Sequence, residues 1–134
     1  MPRVVHFELP AEDLRRAASF YAEVFGWTAS NWEGPAQYLL VSTGSDAEPG
    51  INGAILRRAT PVETTTNIVS VPSVDDYAQR VKGAGGEIVQ EKTVIPSVGY
   101  VAYCRDPEGN VFGVFEYDQA ADVPAGSAPE TPGG

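Results

Sequence analysis

The sequence predicts an α+β fold made of two tandem βαβββ modules, which form a cupped, partly open barrel-like mixed sheet with the helices outside. Both halves of the chain show the same order of a strand, a proline, a helix that ends at glycine and three more strands. The chain of 134 residues is long enough for one domain with its own core and too short for two ordinary ones. We therefore predict one domain at 3–117, with modules at 3–58 and 65–117 and a linker at 59–64.

The first module begins with a strand at 4–9, where β-branched and aromatic residues precede Pro10 as a predicted stop. The next segment predicts a helix, because its apolar residues recur at spacings of three and four and Gly26 supplies an end. This apolar stripe contains Leu14, Ala17, Ala18, Tyr21, Val24 and Phe25. Strands are predicted at 27–32, 37–43 and 51–57, with glycine and proline between them.

The second module repeats this order. A strand at 67–71 precedes Pro72, and Ser73 is a predicted N-cap with Asp76 three residues later. The helix that follows ends at a pair of glycines, and its predicted inner face contains Val74, Tyr77, Ala78, Val81 and Ala84. The remaining strands are predicted at 87–94, 99–105 and 111–117.

The sequences of the two halves can be aligned with a nearly constant offset in residue number. A short insertion or deletion accounts for the small change in this offset. The pairs are His6 with Asn67, Pro10 with Pro72, Tyr38 with Tyr100, and Gly50 with Gly109, which pairs Ala54 with Gly113. From Asp118 onward the chain is rich in Ala, Pro, Gly and acidic residues, and we expect this tail at 118–134 to be disordered or loosely docked.

Composition and charge exclude several function classes. A net charge of −9, with 18 acidic and 9 basic residues, lacks the positive footprint of a nucleic-acid-binding protein. No apolar run approaches the roughly 20 residues that cross a bilayer, and no secretory signal precedes the first strand. We therefore expect a cytoplasmic protein without nucleic-acid or membrane partners.

The single cysteine, Cys104, lies in a predicted strand and is expected to be a buried, inert thiol.

Several stretches resemble the vicinal oxygen chelate superfamily, which includes glyoxalases, bleomycin-resistance proteins and extradiol dioxygenases. They are the segment from Val4 to Pro10 with its strand histidine, the segment from Ala18 to Trp27 with a Phe-Tyr pair and Gly26, the helix start at Ser73, and Asp106 to Asn110 before the last strand. The resemblance covers roughly residues 3–117. It implies a homodimer and, in metal-dependent members, one metal ligand from the first and one from the last strand of each module.

The four positions that the resemblance implies as metal ligands are His6, Ala54, Asn67 and Gly113. Only His6 is a good ligand, since Ala54 and Gly113 have no donor and Asn67 offers a neutral carbonyl. We therefore predict no cofactor, with a divalent metal ion as the alternative. Glu8 shares the face of His6 because strand side chains alternate.

The candidate ligand-binding cavity is lined by His6, Glu8, Ala54, Asn67, Gly113, Phe115 and Tyr117. His6 either contacts a ligand or makes a structural hydrogen bond, and Glu8 either pairs with it for proton transfer or reaches solvent. The small residues Ala54 and Gly113 are expected to widen the cavity, and Glu116 is expected to point away from it.

The leading functional hypothesis is a protein that binds a small organic molecule without a metal. The alternative is a metal-dependent lyase, isomerase or dioxygenase, which uses His6 with Glu8 or a ligand from a second chain. A third hypothesis is an interaction module with a collapsed cavity.

Overall fold

The computed structural model describes residues 2–31, 38–60 and 63–121. The predicted strand residues Trp32 and Gln37, part of the linker, and the tail from Asp122 lie outside the described residues. The chain divides into two compact units, one of residues 5–67 and one of residues 1–4 and 68–134. The first unit contains most of the first predicted module, and the second unit contains most of the second.

The first unit has the predicted order of elements. These are β1 (Arg3–Ala11), α1 (Leu14–Phe25), β2 (Thr28–Asn31), β3 (Tyr38–Ser42) and β4 (Asn52–Arg57). The strand order is β2-β3-β4-β1, in which β1 and β4 are parallel and the other neighbours are antiparallel. The parallel pair brings the first and last strands of the module side by side.

Pro10 does not end β1, so the predicted stop is wrong. The parallel pairing continues from Pro10 opposite Leu56 to Ala11 opposite Arg57. Proline tolerates an extended backbone and lacks only the N–H donor. Its carbonyl oxygen remains usable, and it accepts a hydrogen bond of 3.2 Å from Nη2 of Arg58.

Helix α1 covers one face of this sheet. Asp13 caps its start by accepting a hydrogen bond from the Arg16 N–H at 3.0 Å, and Gly26 ends it in the left-handed conformation with φ 77°. The buried centre of this layer is formed by Ala11, Val41 and Ile55, around which Phe7, Leu9, Leu14, Ala17, Ala18, Trp27 and Leu39 pack.

The predicted apolar stripe of α1 is not buried along its whole length. Val24 and Phe25 in the last turn are 52% and 60% exposed. The nearly parallel rings of Tyr21 and Trp27, whose centroids are 5.0 Å apart, occupy the space beside this turn. Trp27 packs against the buried centre of the layer, whereas Val24 and Phe25 stay largely exposed.

The second unit repeats the arrangement. Its elements are β5 (Thr66–Ser70), α2 (Val74–Gly83), β6 (Glu87–Ile95), β7 (Gly99–Arg105) and β8 (Val111–Tyr117). The strand order is β5-β8-β7-β6, with antiparallel pairing of β6 with β7 and of β7 with β8. The Ser73 hydroxyl accepts a hydrogen bond of 3.1 Å from the Asp76 N–H, which confirms the predicted cap. The α+β class and both βαβββ modules are confirmed.

Cys104 lies in the core between β7, β8 and α2, in a cluster with Val71, Val74, Ala102 and Val114. It is fully buried, and burial raises the pKa of its thiol, with a further contribution from the negative charge of Glu91. Both effects disfavour the thiolate, in agreement with an inert cysteine.

Tyr100 packs against the cluster under α2, whereas the register of β3 and β4 places Tyr38 on the face opposite α1. Because Ala54 is paired with Gly113 in the overlay, Leu56 corresponds to Phe115. Tyr38 lies opposite Leu56, whereas Val101 lies opposite Phe115. The predicted pairing of Tyr38 with Tyr100 is therefore wrong by one residue, which exchanges the faces of a strand.

The residues directly after β8 are docked on the turn between β6 and β7. The Asp118 N–H donates to the Val98 carbonyl and the Ser97 N–H donates to the Ala121 carbonyl, both at 2.9 Å, and Ala121 is buried. Residues 118–121 of the predicted tail are thus ordered.

Within the described ranges, neither helix is long and apolar enough to span a membrane.

Ser97 carries a positive φ of 64°, which L-residues other than glycine adopt at a cost of roughly 1–2 kcal/mol. We expect Ser97→Gly to raise the free energy of unfolding by about 0.5 kcal/mol, because the relieved strain exceeds the entropy cost of glycine. Urea denaturation measures this change. Ser97→Ala, which keeps the strain, is the control, and an equal gain from both variants would contradict the explanation.

Candidate functional site

A polar cluster lies on the face of the first module that is opposite α1. Phe7 and Leu9 of β1 pack in the layer with α1, so His6 and Glu8, which alternate with them, point to the other face. The register places Glu8 beside Ala54 and His6 beside Asn52 on the neighbouring strand β4. Glu8 is only 8% exposed, so the alternative in which its carboxylate reaches solvent is wrong.

Tyr38 of β3 joins this cluster. Its hydroxyl lies 3.3 Å from Nε2 of His6 and forms a hydrogen bond with the Glu8 side chain. Because β4 lies between β3 and β1, the tyrosine side chain reaches across an intervening strand to make both contacts.

Ala54 provides the room for this crossing. Tyr38 lies opposite Leu56 and His6 lies opposite Asn52, and Ala54 is midway between those two residues on the same face of β4. A methyl group at this point leaves space for the aromatic ring, and Ala54 itself is 0% exposed. The sequence analysis expects Ala54 to widen a cavity. In the structure, the side chain of Tyr38 crosses β4 at this point.

Burial and charge favour the neutral forms of the two ring side chains. Burial raises the pKa of Tyr38, and the negative charge of Glu8 and the hydrogen bond to it raise it further. Burial also lowers the pKa of His6 below its ordinary value of 6.5. The cluster therefore favours an uncharged imidazole and a protonated phenol beside the carboxyl group of Glu8.

The second module carries the predicted residues Gly113, Phe115 and Tyr117. They share one face of β8, since they lie opposite Tyr103, Val101 and Gly99 respectively. The rings of Phe115 and Tyr117 are 5.7 Å apart in an edge-to-face arrangement, and Tyr117 is 70% exposed.

Glu116 points to the other face of β8, as predicted. Its Oε1 accepts a hydrogen bond of 3.0 Å from the Val74 N–H at the start of α2. The carboxylate thus caps a helix whose N-terminal end favours negative charge.

Ile68 fills the space beside Gly113. A Cβ at Gly113 would lie 2.6 Å from Cδ1 of Ile68, so the extra room expected there is occupied. Asn67 precedes Ile68 in β5, so its side chain points to the opposite face, and it is exposed. The residue equivalent to His6 on this face is therefore Ile68, one residue after the predicted Asn67.

The four family positions do not fit a divalent metal ion. His6 is a nitrogen donor that already bonds Tyr38, whereas Ala54 and Gly113 have no donor atoms. The fourth position is no better, because Ile68 has no donor atom and the predicted Asn67 would offer a single neutral oxygen. Among the residues that the structure describes, no three His, Cys, Asp or Glu side chains are grouped closely enough to hold a metal ion.

Tyr38 belongs to this candidate site, although the sequence does not assign it there. The available signal was its position on a predicted strand, but its partners are on β1, which is separated from β3 by one strand in the sheet and by most of the module in sequence. No periodicity within a single strand identifies such a contact.

Comparisons with known proteins agree with this fold. The family model of the Glyoxalase/Bleomycin resistance protein/Dioxygenase superfamily matches residues 3–114. "Putative glyoxylase CFP32" of Mycobacterium tuberculosis (strain CDC 1551 / Oshkosh) is 34% identical over 102 residues, which cover 75% of this chain and 38% of that protein. "Anthracycline biosynthesis protein DnrV" of Streptomyces peucetius is 27% identical over 139 residues, which cover 88% of this chain and 50% of that protein. The chain thus spans half or less of these curated relatives.

A similar solved structure is the methylmalonyl-CoA epimerase from Mycobacterium tuberculosis, with a TM-score of 0.66 and 13% identity. The superposition covers 86% of this chain and 87% of the epimerase. At this identity the likeness shows the fold.

Proposed function

This chain belongs to the glyoxalase/bleomycin resistance protein/dioxygenase superfamily, and we propose that it binds a small organic molecule at the His6–Tyr38–Glu8 cluster without a metal ion. The observation that carries this proposal is the cluster itself. A buried carboxylate, a phenol and an imidazole are held together on the sheet face that α1 leaves uncovered. Such convergent polar groups give a binding site its orientation and specificity.

Apolar side chains on the same face support an organic ligand. Leu40 lies opposite Ala54 on this face and is exposed, and the half-buried Leu56 lies next to Tyr38. A few polar groups within a mostly apolar lining are typical of sites for small organic molecules. The donor-poor residues at Ala54, Ile68 and Gly113 favour metal-independent binding over the alternative of a metal-dependent lyase, isomerase or dioxygenase.

The names of similar proteins suggest a class of probe. DnrV is named for anthracycline biosynthesis, and the solved neighbour is an epimerase of a CoA ester. Both names involve organic molecules with carbonyl groups, and anthracyclines have the practical advantage of a fluorescent chromophore. The homodimer and the cytoplasmic location stay predictions.

We expect an anthracycline to bind the full chain in a fluorescence titration, and the affinity to be unchanged by EDTA. Tyr38→Phe is expected to weaken binding about tenfold, because it removes the hydroxyl that orders both His6 and Glu8. Tyr77→Phe is the matched control, since Tyr77 lies on α2 of the other unit and stacks with Arg80.

Two results would overturn the proposal. One is binding that disappears with EDTA and returns with a stoichiometric Zn²⁺, Mn²⁺, Ni²⁺ or Fe²⁺ ion that His6→Ala no longer retains. The other is an equal affinity of the wild type and the Tyr38→Phe protein. Circular dichroism verifies that each variant is folded.

A further inference from the structure

We infer that the outer surface of α1 docks a second copy of this chain, and that the two α1 helices pair antiparallel around Phe20. The resemblance described above implies a homodimer but assigns no surface to it. The surface of α1 lies across the sheet from the His6–Tyr38–Glu8 cluster, so the inference does not depend on ligand binding.

The docking surface is a ridge of side chains spaced by four residues. Arg16, Phe20 and Val24 lie about one turn apart and therefore follow one another along α1. All three are exposed, and the Phe20 ring is 56% accessible. Phe25, which is also exposed, extends the apolar area at the end of the helix. A partner that covers this ridge removes apolar area from water.

Two charges on this surface lie where they do not stabilise α1 itself. Arg16 is in the first turn and Glu23 is in the last turn, whereas the helix macrodipole favours acidic residues first and basic residues last. Within the described part of the chain, neither side chain forms an ion pair or a hydrogen bond. Both charges are therefore available to a partner.

The equivalent helix of the second module has the opposite pattern. Helix α2 carries Asp75 and Asp76 in its first turn and Arg80 and Lys82 in its last turn. Two of these residues form an ion pair along the helix, Asp76 with Arg80, and Asp75 pairs with Lys92 of β6. The reversed and unpaired charges of α1 are thus not a requirement of the βαβββ module.

Antiparallel pairing gives both charges of α1 a partner. A two-fold axis beside Phe20 places this ring against its own copy, because in a symmetric interface residue i contacts j and j contacts i. Along the helix axis, Arg16 lies about 6 Å before Phe20 and Glu23 lies about 4.5 Å after it. The two-fold axis therefore brings Arg16 of each copy level with Glu23 of the other, and the arginine stem covers Val24.

The same charges disfavour a parallel pair, since Arg16 would face Arg16 and Glu23 would face Glu23. The antiparallel contact is short, because the 12 residues of α1 extend over only about 18 Å. Stable interfaces of ordinary size bury about 800 Å² on each partner, which is more than one helix ridge supplies. We therefore expect a weak dimer with a dissociation constant in the micromolar range.

Sedimentation equilibrium of the full chain over a wide range of concentrations tests the surface. The mass is expected to rise from 14.2 kDa to twice this value as the concentration increases. Phe20→Glu is expected to weaken the dimer at least about thirtyfold, because it places two carboxylates at the two-fold axis. Val89→Glu is the matched control, since Val89 is also exposed but lies on β6 of the second unit.

An exchange of charges tests the antiparallel arrangement. Arg16→Glu and Glu23→Arg each place like charges across the interface twice, and each is expected to weaken the dimer about tenfold. The double variant restores opposite charges at both contacts, so its dissociation constant should return to within about threefold of the wild-type value. Circular dichroism verifies that every variant is folded.

Three results would overturn the inference. The first is a wild-type chain that stays monomeric up to millimolar concentration. The second is a dimer that Phe20→Glu leaves intact or that Val89→Glu weakens equally. The third is a double charge variant that dimerises as weakly as the two single variants, because antiparallel pairing requires recovery. All three are distinct from a failure of ligand binding, which is measured separately.

Discussion

Replacing Ala54 by leucine is expected to break the polar cluster and to lower the free energy of unfolding by about 1–3 kcal/mol. The reason is steric. Ala54 is fully buried, and the path from Tyr38 to His6 passes over it, so a larger side chain displaces the tyrosine ring. Once displaced, Tyr38 no longer bonds Glu8, and its pKa should fall towards the ordinary value of 10.0. An ultraviolet titration of the tyrosines, compared with Tyr38→Phe, measures this fall.

The matched control is Ala54→Gly, which keeps the room above β4. It is expected to cost about 0.5–1 kcal/mol through backbone entropy alone. Ligand affinity and the raised pKa of Tyr38 should survive in the glycine variant and be lost in the leucine variant. An Ala54→Leu protein that retained both properties would show that the tyrosine does not pass over this residue.

Replacing Gly53 by alanine is expected to destabilise the first module by about 1–3 kcal/mol without abolishing ligand binding. Gly53 lies opposite Phe7 on the face covered by α1, and a Cβ there would lie 2.5 Å from both the ring and the carbonyl oxygen of Phe7. The backbone oxygen cannot move aside as a side-chain tip can. The ring of Phe7, which packs 5.7 Å from that of Trp27, would have to shift with it.

Gly83→Ala in α2 provides the comparison, because a Cβ at Gly83 meets no atom within 4 Å. Alanine in a helix is favoured over glycine by about 0.5–1 kcal/mol, so this variant should be slightly more stable. Urea denaturation compares the two. If both glycine variants changed stability in the same direction, close approach to Phe7 would not be the cause.

The order of elements could be predicted from the sequence because each element carries its own periodicity. The β7 and β8 boundaries were predicted to the residue, and the Ser73 cap follows from a local signature. Errors arose where a local signal conflicts with tertiary contacts. Pro10 is a sound stop signal in isolation, yet the parallel ladder with β4 continues through it.

The candidate site was only partly predictable for a different reason. His6 follows from the family resemblance, and Glu8 follows from strand alternation, which is local. Ile68 was missed in favour of Asn67 because a shift of one residue in the overlay of the halves exchanges the two faces of a strand. The role of Tyr38 depends on which strand lies between β3 and β1, and the sequence does not give that order.

The packing of the Ile68 side chain beside Gly113 bears on the number of ligands that one chain can bind. The backbone of this protein is duplicated, but the chemistry at equivalent positions is not. The first module offers a histidine where the second offers an isoleucine that fills its own face with hydrocarbon. A pseudo-symmetric fold of this kind is not expected to bind two equivalent molecules, and its stoichiometry should be one.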